Sequence, residues 1–368
     1  MKISVVLPCR NEEKTIGVCI GKIRKALKGK DYEIIVSDSS SDRSAIIAKN
    51  LGVKIIKHDK VGYGAAYLEG FSQATGDYII MGDSDNTYDF LDIPRFIDEL
   101  DRGYDLVIGH RKRICKAAMP LLHKYIGNPF LSFLMRIFFH EKIKDSQSGF
   151  RAIRKDKLKK LNLQTKGMEL ASEMIVKAIK NKLKIKEIPI TYYPRVGESK
   201  LRSFNDGWKH LRFMLLYSPI YLFIIPGLIL FILGFCVMIR LLFDSFQLFG
   251  LTFFTHPSII GAFLAMIGYQ TISLGLFAKT YAVNNLGEED RFIEKFNRKL
   301  NLEKAIKLSL VVFLIGLAID LKIVLDWIGS GFGGLEKFNL AIFATTLIII
   351  SIQTIFSAFF LSILGIKK

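Results

Sequence analysis

Cysteine is sparse in this sequence. Four occur among 368 residues, Cys9, Cys19, Cys115 and Cys236, and no two form a CxxC pair. That argues against a zinc knuckle and a redox dithiol; the thiols read as small reduced hydrophobes, consistent with a cytosolic catalytic half. A secretory leader is not expected either. The first apolar run, Ile3–Leu7, is stopped by Pro8 and Arg10, too short for a leader core, and reads as a buried strand. Zinc-finger spacings, an aromatic RNA-binding motif and a heptad zipper are all lacking, so no nucleic-acid partner is expected despite a formal charge of +18. Lys and Arg are absent from residues 243–257, which bears on topology below.

What is present is apolar and unevenly spread. Half of the residues are hydrophobic and mean hydropathy is +0.30. Up to about Phe213 the chain reads as a charged globular domain; beyond it, long apolar runs dominate. The basic surplus then points to anionic lipid or to phosphate-bearing substrates.

The first half alternates two patterns. Ile3–Leu7, Glu33–Val36, Lys54–Ile56, Tyr78–Met81 and Leu106–Ile108 are short apolar runs bounded by turn residues. Thr15–Leu27, Asp42–Leu51, Ala65–Ala74 and Ile93–Leu100 between them have helical periodicity. Asn11 ahead of Glu12 and Glu13 reads as a helix start, and Ser41–Asp42 repeats that logic. The alternation predicts an α/β domain with a mostly parallel sheet and ligands at the carboxyl ends of its strands. A further helix over Glu169–Asn181 and a strand over Ile185–Ile190 follow. Residues 204–218 then mix Lys209, His210 and Arg212 with Trp208, Leu211, Phe213, Leu215 and Leu216, the pattern of an amphipathic helix on a membrane surface.

Four apolar stretches, about 220–242, 258–277, 305–327 and 340–364, are long enough to cross a bilayer. Asp320 and Lys322 lie near the end of the third and can snorkel to water. The loop between the second and third carries Lys279, Arg291, Lys295, Arg298, Lys299 and Lys304, and the chain ends Lys367–Lys368. Positive residues stay inside, so the N-terminal domain, that loop and both termini are expected to be cytoplasmic in an integral membrane protein. The expected domains are residues 1–203, the surface helix 204–218, and an all-α four-helix transmembrane region 219–368.

Chemistry concentrates at strand ends. Asp83-Ser84-Asp85 follows Tyr78–Met81. Two carboxylates at such a turn can hold Mg2+ or Mn2+, completed by water and phosphate oxygens. An EF-hand is excluded, because positions six and twelve from Asp83 are Tyr88 and Pro94. Asp38, in a Ser-rich run after another strand, can accept from a base N–H or ribose hydroxyls. Gly62 and Gly64 open a helix and permit close backbone approach to a ligand. They do not form a dinucleotide fingerprint, because Tyr67 stands where the third glycine belongs.

In combination, Val5–Glu13, the Asp38 cluster, Gly62–Ala65 and Asp83-Ser84-Asp85 resemble, in order and spacing, the family 2 glycosyltransferases, inverting enzymes of the GT-A fold. The resemblance covers about the first 210 residues. It implies a Rossmann-like GT-A domain. Pro8, Asn11, Glu12, Asp38, Gly62 and Gly64 would line the nucleotide site, and Asp83 and Asp85 would carry the metal. Asp145–Arg151 (DSQSGFR), Arg195–Lys200 (RVGESK) and Gly109-His110-Arg111 resemble the polyprenyl-phosphate sugar synthases, the dolichyl-phosphate mannose or glucose synthase type. The implied reaction moves a hexose from a UDP- or GDP-linked donor to polyprenyl or dolichyl phosphate, with Asp83, Asp85, Arg111, Arg151 and Lys200 at the reaction centre. Arg111, Lys124, Arg151, Arg195, Ser199 and Lys200 would receive the acceptor phosphate. After the DxD this chain has Asn86–Phe90 rather than the Leu-Gln-His run common in mannose synthases, so the sugar stays open. The sequence also departs from processive polysaccharide synthases: no Trp follows Gln147 in a QxxRW pattern. Transfer to another lipid, and a transporter or flippase with a nucleotide-sensing domain, are the other readings; few ionisable residues lie mid-span to favour transport.

Overall fold

The computed structural model describes residues 1–197, 203–243, 246–248, 251–253, 255–285, 290, 293, 295, 301–333 and 337–365. Two compact units are present, Met1–Tyr217 and Ser218–Lys368.

The first unit is built on seven strands: β1 Ile3–Cys9, β2 Tyr32–Asp38, β3 Lys54–Lys57, β4 Tyr78–Met81, β5 Leu106–Ile114, β6 Arg151–Arg154 and β7 Ile185–Tyr192. Their order across the sheet is β3-β2-β1-β4-β6-β5-β7. All neighbours run parallel except β6, antiparallel to both β4 and β5. The helices are α1 Ile16–Ala26, α2 Ser44–Asn50, α3 Tyr63–Ser72, α4 Ile93–Asp101, α5 Asn128–Phe139, α6 Lys155–Leu161, α7 Leu170–Lys180 and α8 Ser203–Leu216.

Strand alternation divides the core between the two faces of the sheet. Ile3, Val5 and Leu7 of β1 join Tyr78 and Ile80 of β4 on one face, beneath α1 and α4. Val6, Ile79 and Met81 face the other way, towards α5, α7 and α8. The expected mostly parallel α/β sheet is therefore present. Two local expectations change. Asn11 does not cap α1, which begins at Ile16 after Thr15. It adopts φ 55°, and its Oδ1 accepts from Ser41 N at 2.8 Å, tying the β1 turn to the β2 turn. Helix α8 is amphipathic, but His210, Phe213 and Met214 are buried among the unit's own apolar groups. Its exposed residues include Trp208, Lys209, Arg212 and Leu216.

The second unit holds four helical stretches long and apolar enough to cross a membrane, Ile220–Phe243, His256–Asn284, Leu302–Gly329 and Phe338–Leu364. Most of their apolar side chains face outward, as lipid solvation requires. The first two helices pack through glycine. A Cβ on Gly234 would meet Ala265 N and Gly261 O at 2.4 Å, and one on Gly268 would meet Phe231 N at 2.4 Å. Such small-residue contacts let membrane helices approach backbone to backbone. Within the third stretch Asp320 accepts a hydrogen bond from Thr345 at 3.2 Å.

Candidate active site

The carboxyl ends of β1, β2 and β4 bring the acidic residues together. Ser84 Oγ donates to Pro8 O at 2.6 Å, stitching the DxD turn to the end of β1. Asp85 is clamped by its own turn: its Oδ1 accepts from Thr87 N at 3.1 Å and from Thr87 Oγ1 at 2.6 Å. Its Oδ2 accepts from Arg195 Nη1 at 2.9 Å. The other end of that guanidinium donates to Glu12 Oε1, so Arg195 bridges two acids of the cluster. On β2, Asp38 is buried and its Oδ1 has no hydrogen-bond partner. A buried acceptor left without a donor is costly, and a ligand N–H or O–H would satisfy it.

Asp83 lies deeper. Tyr67 Oη donates to its Oδ1 at 3.4 Å. Gly149 sits over it: a Cβ there would lie 2.6 Å from Tyr63 Oη, 3.1 Å from Asp83 Oδ2 and 3.4 Å from Tyr88 Oη. Although half-buried by accessible surface, the Asp83 carboxyl is enclosed by these rings. That enclosure, reinforced by the charge of Asp85, raises its pKa well above the usual carboxylate range. The tyrosine wall of Tyr63, Tyr67 and Tyr88 is absent from the sequence reading. Its one signal is the i, i+4 spacing of Tyr63 and Tyr67 on the helix that opens with Gly62.

Among the described residues, no three His, Cys, Asp or Glu side chains come together as a protein-only metal cage. Asp83 and Asp85 instead suit a hard cation that takes its remaining ligands from water and phosphate oxygens. The Arg195 guanidinium between Asp85 and Glu12 is a cationic stand-in that shows the cluster's demand for positive charge.

Next to this cluster, Arg111 is pinned. Its Nε and Nη2 each donate to Asp145 at 2.8 Å, and its backbone N donates to the same carboxylate at 3.1 Å. Both side chains are only 8% exposed. The pair holds the Asp145 carboxyl below its ordinary pKa against the opposing effect of burial, and holds Arg111 charged. Tyr192 lies under the guanidinium at 5.3 Å and meets Tyr88 edge-on at 5.3 Å, so two rings connect Arg111 with the wall around Asp83.

Three expectations need correction. Arg151 is wholly buried. It donates to Ser148 O at 2.8 Å, Ala171 O at 2.7 Å and Ser146 O at 3.0 Å. Its guanidinium is spent on backbone carbonyls, so it braces the 146–148 turn and does not receive phosphate. Gly62 and Gly64 do permit close approach, but to the chain itself. Their Cβ positions would lie 2.2 Å from Lys166 O and 2.3 Å from Thr165 O, and Gly64 N donates to Gly167 O at 3.1 Å. Arg195 lies with Glu12 and Asp85 rather than with Arg111. Lys124 stacks over Tyr125 at 5.2 Å. Ser199 and Lys200 fall outside the described residues.

Glycosyl transferase family 2 matches residues 4–161, and the glycosyltransferase family 2 C-terminal transmembrane region matches 276–365. The low-salt glycan biosynthesis hexosyltransferase Agl6 of Haloferax volcanii is 38% identical over 368 residues, spanning 99% of this chain and 89% of that protein. A dolichyl-phosphate hexose transferase of the same organism is 30% identical over 205 residues, 56% of this chain and 89% of that protein. The dolichol-phosphate mannosyltransferase of Pyrococcus furiosus is 33% identical over 213 residues, 55% of this chain and 60% of that protein. Among solved structures, glucosyl-3-phosphoglycerate synthase from Mycobacterium tuberculosis, in complex with Mn2+, UDP and phosphoglyceric acid, superposes with TM-score 0.50 at 21% identity. It covers 59% of this chain and 78% of that one, a likeness of fold.

Proposed function

The chain belongs to glycosyltransferase family 2, and from that premise we propose that it transfers a hexose from a UDP- or GDP-linked donor to polyprenyl or dolichyl phosphate. The reaction takes place at the cytoplasmic membrane face, depends on Mg2+ or Mn2+ and inverts the anomeric centre. The observation that carries this reading is the acidic cluster of Glu12, Asp38, Asp83 and Asp85 at three strand ends, bordered by the pinned Arg111. The names of the Haloferax and Pyrococcus relatives support the acceptor class, and the four apolar C-terminal helices are long enough to cross a bilayer, where such a lipid resides.

The parts divide the work as follows. Pro8, Asn11, Glu12 and Asp38 form the nucleoside side, where the unpartnered Asp38 oxygen accepts from the base or ribose. Asp83 and Asp85 would hold a divalent cation, which would supply charge neutralisation for the departing nucleoside diphosphate. A cation held at Asp85 would take over the charge that Arg195 now supplies there. The acceptor phosphate has a second pKa of about 6 and is largely dianionic at neutral pH, so no strong general base is required. Positive side chains must hold it in line behind the anomeric carbon. Arg111 is suited to this because Asp145 fixes the plane of its fork before substrate binds. Ser199, Lys200 and Lys124 complete the proposed cradle, and Arg151 positions the turn that carries Ser148 and Gly149.

A donor panel tests the reading. Purified protein, Mg2+ or Mn2+ and a short polyprenyl phosphate are incubated with labelled UDP- and GDP-hexoses. The expected result is a labelled, mild-acid-labile lipid with one donor. Absence of lipid label across the panel, with a folded protein, would refute the proposal.

A further inference from the structure

The Arg111–Asp145 pair depends on a segment with no regular structure of its own. Helix α5 ends at Phe139, and His140 closes it with φ 55°. Residues 140–150 then form neither helix nor strand before β6 begins at Arg151. Backbone N–H groups in such a segment must find acceptors outside a ladder. Several find side chains. Ser146 N donates to Ser132 Oγ at 3.1 Å, Gln147 N to Asp145 Oδ1 at 3.3 Å and Gly149 N to Tyr88 Oη at 2.8 Å. Lys144 N donates to both carboxylate oxygens of Glu187 at 2.9 Å, and Asp145 N donates to Glu187 Oε1 at 2.9 Å.

Strand parity brings Glu187 to this segment. On the edge strand β7, Ile188 and Ile190 point into the core beneath α1 and α4. Ile185 and Glu187 therefore point to the opposite face, where Ile185 packs against the cluster that contains Ile143. Glu187 stands level with Ile108 of β5, and Ile190 level with Arg111. A half-buried carboxylate needs donors, and the 144–145 backbone supplies them through charge-assisted bonds. Further along the same strand, Tyr192 lies under the Arg111 guanidinium at 5.3 Å. β7 thus grips the pair at two points, the main chain of Asp145 and the face of Arg111.

Asp145 can aim its carboxylate only while its own main chain is fixed. Glu187 fixes the N–H of that residue, and the Asp145 carboxylate takes the Nε, Nη2 and backbone N of Arg111. We infer that Glu187 is a positioning residue for the Arg111 site, acting through the Asp145 main chain on the plane of the guanidinium fork. The inference rests on the reading of Arg111 as a ligand of the acceptor phosphate.

Two variants of the full-length protein, Glu187→Ala and Glu187→Gln, test it. Both N–H groups share Oε1, and glutamine can place its amide oxygen there, so Glu187→Gln is the rescuing variant. In vesicles, Glu187→Ala should lower kcat/KM for polyprenyl phosphate about 10–100-fold with the donor KM unchanged, and Glu187→Gln should restore most of the loss. Modification of Arg111 by phenylglyoxal without substrates, followed by peptide mass spectrometry, reads the fork itself. It should be slow in the parent, where the side chain is 8% exposed, slow in Glu187→Gln and several-fold faster in Glu187→Ala. If Glu187→Ala fails to fold, Glu187→Asp, one methylene shorter, replaces it. Faster modification with unchanged acceptor kinetics would support the positioning role and refute the phosphate role of Arg111. If the parent forms no glycolipid, the modification rates alone decide. Unchanged modification in Glu187→Ala would overturn the inference. So would equal losses for donor and acceptor, the mark of general loosening.

Discussion

Removing Asp145 should cost the catalytic unit more stability than removing any exposed acid. Its carboxylate takes three N–H groups of Arg111 and a fourth from Gln147 N at 3.3 Å. Neither charge of the pair has ready access to water. Deleting one member of such a pair leaves the other buried and uncompensated, which costs about 3–5 kcal/mol. In a unit of this size each kcal/mol lowers the melting temperature by about 2–4 °C, so Asp145→Ala should melt at least ~6 °C below the parent. A thiol-reactive dye reports the event directly. Cys9 and Cys19 lie in the core of this unit, and in the Cys115→Ser/Cys236→Ser background they react only when it opens. The double change Arg111→Leu/Asp145→Leu should recover most of the loss, because it removes both charges. It should not recover transfer, because the proposed phosphate ligand is gone. A shift of less than about 2 °C for Asp145→Ala would show that the pair does not fix Arg111, and the preorganised-fork argument would fail.

Three further outcomes follow from individual contacts. Gly64→Ala places a Cβ 2.3 Å from Thr165 O and 2.9 Å from Gly167 O, both backbone atoms, and should lower stability by about 1–3 kcal/mol. Gly21→Ala, with nothing within 4 Å, should not lower it in the same dye assay. His210 is buried, bonded to Ser172 Oγ at 2.8 Å; burial pushes its pKa down to about 4, with Arg151 and Lys209 adding and Asp206 opposing. The neutral ring therefore stabilises the fold fully above the unfolded value of about 6.5, and this contribution is lost as pH falls towards 4. The melting temperature of the parent should drop across that window, and His210→Gln should flatten the drop. Arg195→Ala leaves Asp85 and Glu12 without their bridging cation, so Mn2+ retention without nucleotide, read by electron paramagnetic resonance, should rise; unchanged retention would contradict the stand-in role.

Much of the fold was legible because it is local. β1, β2 and β4 are short apolar runs closed by turn residues, and their carboxyl ends carry the acids that the motif order singled out. β6 was not legible. Arg151-Ala152-Ile153-Arg154 is four residues with a charge at each end, and it becomes a strand because β4 and β5 flank it. The misassignment of Arg151 has the same origin. A guanidinium facing internal carbonyls and one facing a ligand look alike in sequence, and only the 146–148 turn and Ala171 distinguish them. α5 escaped notice because it is apolar on both sides and so lacks an amphipathic period. In the second apolar stretch the hydropathy ends at Phe277, because Lys279, Thr280 and Asn284 interrupt it. Helix geometry carries on to Asn285, and Asn284 donates to Leu364 O at 3.1 Å.

In the proposed reaction a cation at Asp83 and Asp85 would assist displacement of a nucleoside diphosphate by a lipid phosphate. Mass spectrometry of the lipid formed by vesicle-reconstituted protein tests it most directly. One hexose joined through a single phosphate to the polyprenol is expected, formed by the parent and lost in Asp85→Ala at unchanged membrane insertion. A diphosphate-linked sugar, or an undiminished yield from Asp85→Ala, would contradict it.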